Sequence, residues 1–204
     1  MTAAPALYPD SILGDGIELR PWDEDLVAQM SQWSVRGFPY HAFDTDHLRD
    51  PVKARAALNR HRSPGPHRHF IACEGETAVG RVSVNLRDQA GIYFWGVHVP
   101  EEHGRRGVCR RMMSALIDWL EERYPLGPGF VLSTNAFATH AHRAYRSVGF
   151  EIDETRWHYD KQLADELWKV PPAVRAPVSP FVRFHNGQWE VRIHIMRRPL
   201  RSRV

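Results

Sequence analysis

Two different hydrophobic periods run along this chain, and the switches between them divide it into elements. The clearest helical stretch spans Arg105–Arg123, where Val108, Met112, Leu116 and Leu120 recur at helical spacing and Met113 and Ile117 widen the stripe. Asp23–Trp33 is a second helix, with Asp23 as its cap and Leu26, Met30 and Trp33 on one face. Pro51–Arg62 is a third, opened by Pro51 and closed by Ser63-Pro64-Gly65. Thr139–Ser147 is a fourth. The strand segments are Ile17–Arg20, Phe70–Cys73, Ala78–Leu86, Gly91–Val99, Phe130–Ser133, Phe150–Tyr159 and Trp189–Met196. A turn at Glu74-Gly75-Glu76 makes a hairpin of the second and third, and Pro100 stops the fourth.

Asp160–Gln188 breaks this rhythm. It opens with a short helix candidate, Lys161–Lys169, and continues through Pro171, Pro172, Pro177 and Pro180. It is too short to be a second domain, so residues 1–204 read as one domain with an insertion at 160–188.

Composition narrows the class. A chain of 204 residues, 43% apolar and 25% charged, suits one well-cored globular domain. No apolar run approaches the roughly 20 residues that span a bilayer, so no membrane association is expected. Met1–Asp10 lacks the basic and apolar regions of a secretory signal. The two cysteines, Cys73 and Cys109, have no metal-type spacing, and a reduced cytoplasmic protein is expected. His67-x-His69 and His140-x-His142 have the wrong spacing for two ligands on one helix face, so no metal is expected. Trp22, Trp33, Trp95 and Trp119 read most simply as core.

The net charge is +3 and the pI about 9.1. Arginines cluster at Arg105–Arg111 and at Arg197–Arg203. The second cluster reads as a solvated basic tail, and nucleic acid is not an expected partner because no recognition motif accompanies it. The first cluster opens a helix, where the dipole favours negative charge. Four arginines at that positive end imply an anion to bind. Gly107 supports this, because a glycine lets backbone approach a ligand and the first helical amides then point at it.

The run Val97-His98-Val99-Pro100-Glu101-Glu102-His103-Gly104-Arg105-Arg106-Gly107-Val108-Cys109 resembles the strand–loop–helix of the GNAT acetyltransferases, whose pattern there is Gln/Arg-x-x-Gly-x-Gly/Ala. Ala141-His142-Arg143-Ala144-Tyr145-Arg146-Ser147-Val148-Gly149-Phe150 is similar to that family's second signature. The resemblance covers roughly Ile17–Tyr159 and resumes at Trp189–Leu200. Gly104 and Cys109 depart from the first pattern, and Gly107 keeps it.

The resemblance implies an α/β (α+β) fold: a mixed, mostly antiparallel sheet of about seven strands flanked by helices and splayed between strands 4 and 5. It implies acetyl-CoA as co-substrate. Backbone groups of Val97, His98 and Val99 would pair with the pantetheine arm. The Val97 N–H would face the thioester carbonyl as oxyanion donor. Arg105, Arg106, Gly107, Val108, Cys109 and Arg110 would cradle the pyrophosphate, with Asn135 and His142 also at the cofactor. Tyr145 would be the acid that protonates the leaving thiolate.

The acceptor side is less defined. Tyr93 and Trp95 stand where several relatives carry a base, and neither is a good one, which leaves a water relay. Period-2 alternation places His98 on the opposite face of that strand. Trp168 lies in the insertion, which is expected to form a lid over the acceptor amine or to be a decorative or dimer-contact segment. The acceptor would be a primary amine of a small molecule or a peptide N-terminus. A catalytically weak acyl-CoA-binding module is the alternative, and a homodimer is left open.

Overall fold

The computed structural model describes residues 11–40, 45–62 and 65–201. Among these described residues nine strands form one sheet: β1 (Ile12–Gly14), β2 (Ile17–Pro21), β3 (His67–Glu74), β4 (Thr77–Asn85), β5 (Ile92–His98), β6 (Phe130–Asn135), β7 (Glu151–Tyr159), β8 (Val182–His185) and β9 (Gln188–Arg198). Their order is β1-β2-β3-β4-β5-β6-β9-β7, with β8 also paired to β9. Every ladder is antiparallel except β5–β6. This is the mixed, mostly antiparallel sheet expected, with β1 and β8 added to the seven foreseen strands. Those two have only three and four residues, too few to display a period of two.

Alternation sorts side chains onto two faces. On β3, Phe70 and Ala72 join one core and Ile71 and Cys73 the other. Helix α3 (Val108–Arg123) packs the first face through Met112, Leu116 and Leu120. Helix α4 (Thr139–Arg146) joins it there through Tyr145. Leu116 is fully buried, and truncating such a residue to alanine typically removes about 2–5 kcal/mol.

The opposite face is covered in two patches. Helices α1 (Glu24–Met30) and α2 (Pro51–Arg62) pack Leu26, Met30 and Leu58 with Trp22, Trp33 and Ile71. The Asp23 carboxylate caps α1, accepting from the Leu26 N–H at 2.7 Å. Helix α5 (Lys161–Leu167) places Leu163 against Val131, Val191, Ile193 and Ile195. A further helical turn, α6 (Pro172–Arg175), follows in the proline-rich segment. Between the two patches, Trp95 stays 39% exposed, so it is not the core residue its type suggested. No helix among the described residues is long and apolar enough to cross a membrane.

The C-terminal arginines are also placed differently from a solvated tail. Arg197 pairs with Asp153 at 2.7 Å, the buried Arg198 with Glu121 at 2.7 Å, and Arg201 with Asp118 at 3.3 Å. They fasten the chain end to the sheet edge and to α3. Arg203 lies outside the described residues.

Candidate functional site

Strands β5 and β6 pair only from Ile92–Phe94 to Phe130–Leu132, yet they run on to His98 and Asn135. The sheet therefore splays at this parallel pair, the fourth and fifth of the strands foreseen. A cavity of about 1540 Å³ occupies the gap and reaches both faces. Val97, His98, Val99, Arg105, Gly107, Val108, Cys109, Arg110, Asn135, Tyr145, Tyr93 and Trp95 all line it.

One wall is the turn before α3. Gly107 is the N-cap of α3 with φ 75°, and no side chain caps the helix. Arg105 also has positive φ, 59°. The first amides of α3 are thus left for an external acceptor. Gly104 has its own reason. A Cβ there would stand 3.0 Å from the Glu101 carbonyl, so the glycine permits the turn to close.

The helix starts at Val108, so Arg105 and Arg106 precede it and only Arg110 and Arg111 belong to its first turn. The anion that the cluster implied is partly internal. Glu74, at the end of β3, holds Arg106 at 2.8 Å and also pairs with Arg111. Those hydrogen bonds and charges hold the Glu74 carboxyl below its ordinary pKa. Arg105 and Arg110 remain at the cavity, Arg110 with Asp15 at 4.0 Å.

The floor is a β-bulge. Ser83 faces Trp95 and Arg81 faces His98, so three steps on β5 match two on β4. Gly96 absorbs the extra residue with φ 59°. Neither Gly96 nor Val97 has a Cα partner in the flanking ladders. The bulge also reverses the parity, so His98 lies on the same face as Trp95, which corrects the period-2 reading. Gly96 inside an extended pattern was the available signal. His98 is 4% exposed and stacks on Trp33 at 5.6 Å. Burial, with Arg81 and Arg36 nearby, lowers its pKa to about 3, so the ring is neutral.

Tyr145 projects from α4 into the wedge of the splay. It is 8% exposed, and among the described residues its hydroxyl has no hydrogen-bond partner. Burial, Cys109 and Tyr93 raise its pKa above the ordinary phenol value, which keeps the proton in place. Burial likewise pushes the Cys109 thiol up to about 12, so Cys109 is a packed, protonated residue and no nucleophile.

Three foreseen residues do not line the cavity. Arg106 is bound to Glu74. His142 hydrogen-bonds the Asn135 carbonyl through Nε2 at 3.0 Å and packs on His194. Trp168 packs on Trp189 at 5.0 Å with the Arg175 guanidinium over its ring. Of the described residues of 160–188, Asp160 alone reaches the cavity. Conversely, Arg36, His61, Arg81 and Ser83 line it without any local motif to announce them.

The family model "Acetyltransferase (GNAT) family" matches residues 27–150, more than half of the chain. Among solved structures, a putative ribosomal-protein-serine acetyltransferase from Vibrio cholerae is 14% identical, covers 93% of this chain and 97% of its own, and has a TM-score of 0.61. A spermidine N-acetyltransferase from Vibrio cholerae in complex with CoA and spermine is 14% identical over 91% and 96%, with a TM-score of 0.56. A microcin C7 self immunity acetyltransferase in complex with acetyl-CoA and AMP is 13% identical over 95% and 98%, with a TM-score of 0.57. At such identities the likeness is one of fold. A search of curated proteins returns no match.

Proposed function

Because this chain belongs to the GNAT family of acetyltransferases, we propose that it moves an acetyl group from acetyl-CoA to a primary amine of a small molecule or peptide N-terminus by direct attack. The observation that carries this reading is the meeting of three features in one cavity. These are the uncapped α3 N-terminus behind Gly107, the Gly96–Val97 backbone that the bulge takes out of the ladder register, and the uncommitted Tyr145 hydroxyl.

Each feature has a task. The α3 amides, with Arg105 and Arg110, hold the pyrophosphate of CoA. The Val97 N–H stabilises the charge that develops on the thioester oxygen. Tyr145 donates its proton to the departing thiolate, whose conjugate acid has a pKa near 8.5 in solution. The buried phenol arrives protonated at neutral pH, and the same burial raises the basicity of a thiolate formed beside it.

The acceptors named for the solved structures, spermidine and a ribosomal protein, set the classes to try first. Thiol release from acetyl-CoA over a panel of polyamines, amino acids and peptides tests the reading. Tyr145→Phe should keep CoA binding and lower kcat by about 10²-fold or more. Wild-type chain that binds CoA yet releases no thiol with any amine favours the alternative of a binding module. Cys109 in place of the usual small residue is the observation behind that alternative.

A further inference from the structure

We propose that Ser83 and His69 form the proton relay of the acceptor side, taking up the proton that the amine loses as it attacks. This inference rests on the acetyl-transfer reading and supplies the group that reading lacks.

Ser83 lies on β4 and lines the cavity. Its Oγ is 2.8 Å from His69 Nδ1 on β3, the residue directly across the ladder. The bulge brings this hydroxyl to the reacting centre. A Cβ on Gly96 would stand 3.6 Å from Ser83 Oγ, so the bare backbone of the bulge lies against the hydroxyl. The next peptide carries the Val97 N–H, assigned above to the thioester oxygen.

The imidazole is held and connected. Trp95 meets His69 edge-on at 5.2 Å and His67 at 6.0 Å. His61 of α2 lies 4.0 Å from His69, ring to ring, and the exposed His67 lies 6.2 Å away. A line of imidazoles therefore runs from the cavity to solvent. The groups facing His69 are His61 from α2, His67 and Arg68 from β3 and Arg81 from β4. Burial first, and then the charges of His61, His67, Arg81 and Arg68, lower its pKa to about 3, so the ring is neutral at pH 7.

His103, His140 and His158 line the cavity as well, and carboxylates are scarce there. Among the described residues that line the cavity, the carboxylates are Glu101 and Asp160. Glu101 sits in the turn before α3, and Asp160 caps α5 by accepting from the Leu163 N–H at 2.9 Å.

The amine nitrogen bonds to the acetyl carbon, and the C–S bond breaks with its electron pair on sulfur. The amine proton passes to Ser83 Oγ while the Ser83 proton passes to His69 Nδ1. His69 then releases its Nε2 proton towards solvent. Tyr145 protonates the thiolate and recovers a proton from solvent, leaving an amide and CoA thiol.

Two measurements decide the proposal. The first is the ¹⁵N spectrum of the His69 ring in the CoA-bound chain. The relay requires the tautomer with Nε2 protonated and Nδ1 bare, and an Nδ1–H tautomer overturns it. The second is kinetic. Ser83→Ala should lower kcat about 10–100-fold with the acetyl-CoA KM unchanged, and Ser83→Thr should restore most of the loss. Wild-type turnover that Ser83→Ala leaves intact overturns the relay alone. Wild-type chain that releases no thiol with any amine overturns the transfer reading and the relay with it.

Discussion

The two walls of the cleft are made of different material. The wall assigned to CoA is backbone: the α3 amides behind Gly107 and the bulged peptide at Val97. The wall assigned to the acceptor is side chains drawn from separate elements, His61 of α2, Arg81 and Ser83 of β4, and Trp95 of β5, with His69 of β3 hydrogen-bonded to Ser83. Backbone sites tolerate sequence change as long as conformation is kept. Side-chain sites tolerate none of it at the contacting atoms. This explains how Gly104 and Cys109 can depart from the family pattern while the loop keeps its shape.

The largest test of that contrast substitutes two positive-φ glycines, Gly107 in the CoA wall and Gly96 beside Ser83, where the two walls meet. Gly107→Val forces a β-branched residue to φ 75°, where an ordinary left-handed residue already costs roughly 1–2 kcal/mol. No atom lies within 4 Å of the added Cβ, so the loss comes from conformation and not from a clash. The Kd for CoA, by calorimetry, should rise about tenfold or more, since each 1.4 kcal/mol is a factor of ten. Gly96→Ala at φ 59° should act on the other side, covering Ser83 and lowering kcat with less effect on CoA binding. Equal effects of both changes on both constants would collapse the distinction between the walls.

A smaller effect separates the arginines. Arg105→Ala removes a cation that lines the cavity, and should weaken CoA by a few-fold, less at high salt. Arg106→Ala removes one already bound to Glu74, and should leave the CoA Kd nearly unchanged. Side-by-side titrations at two ionic strengths read the difference. A larger loss from Arg106 than from Arg105 would mean that the Glu74 pair opens when CoA binds.

The same contrast explains what the sequence revealed. The CoA wall was legible because a loop and the helix it opens are contiguous, so Gly107 and the run to Val108 carry the geometry within a few residues. Alternation also read the sheet well, apart from the very short β1 and β8. Three things were hidden. The helix start moved from Arg105 to Val108 because arginines fit a helix as well as the loop. His98 changed face because one bulge at Gly96 reverses every later position on the strand. Glu74 escaped notice because its partners Arg106 and Arg111 lie 32 and 37 residues away. The acceptor wall was least legible of all. Ser83 and His69 become neighbours only through the β3–β4 register, which the hairpin turn and the one-residue shift between Ala72 and Cys73 set together and no local motif encodes.

The smallest expected effect belongs to Glu74, which joins the CoA wall to the sheet without touching the cavity. Its carboxyl is held below its ordinary pKa by Arg111 first and by Arg106. A carboxylate with a depressed folded pKa stabilises the fold above its unfolded pKa of about 4.3 and loses that contribution as pH falls through the lower folded value. The stability of wild type should therefore decline through acid pH, and Glu74→Gln should flatten part of that decline. Denaturant melts from pH 7 to pH 3 measure it. The side chain is partly exposed, so the effect should be modest and fade with salt. If Glu74→Gln leaves the acid limb unaltered but weakens CoA binding, Glu74 acts chiefly by keeping Arg106 and Arg111 from collapsing onto the α3 N-terminus, and the boundary between the two walls moves to β3.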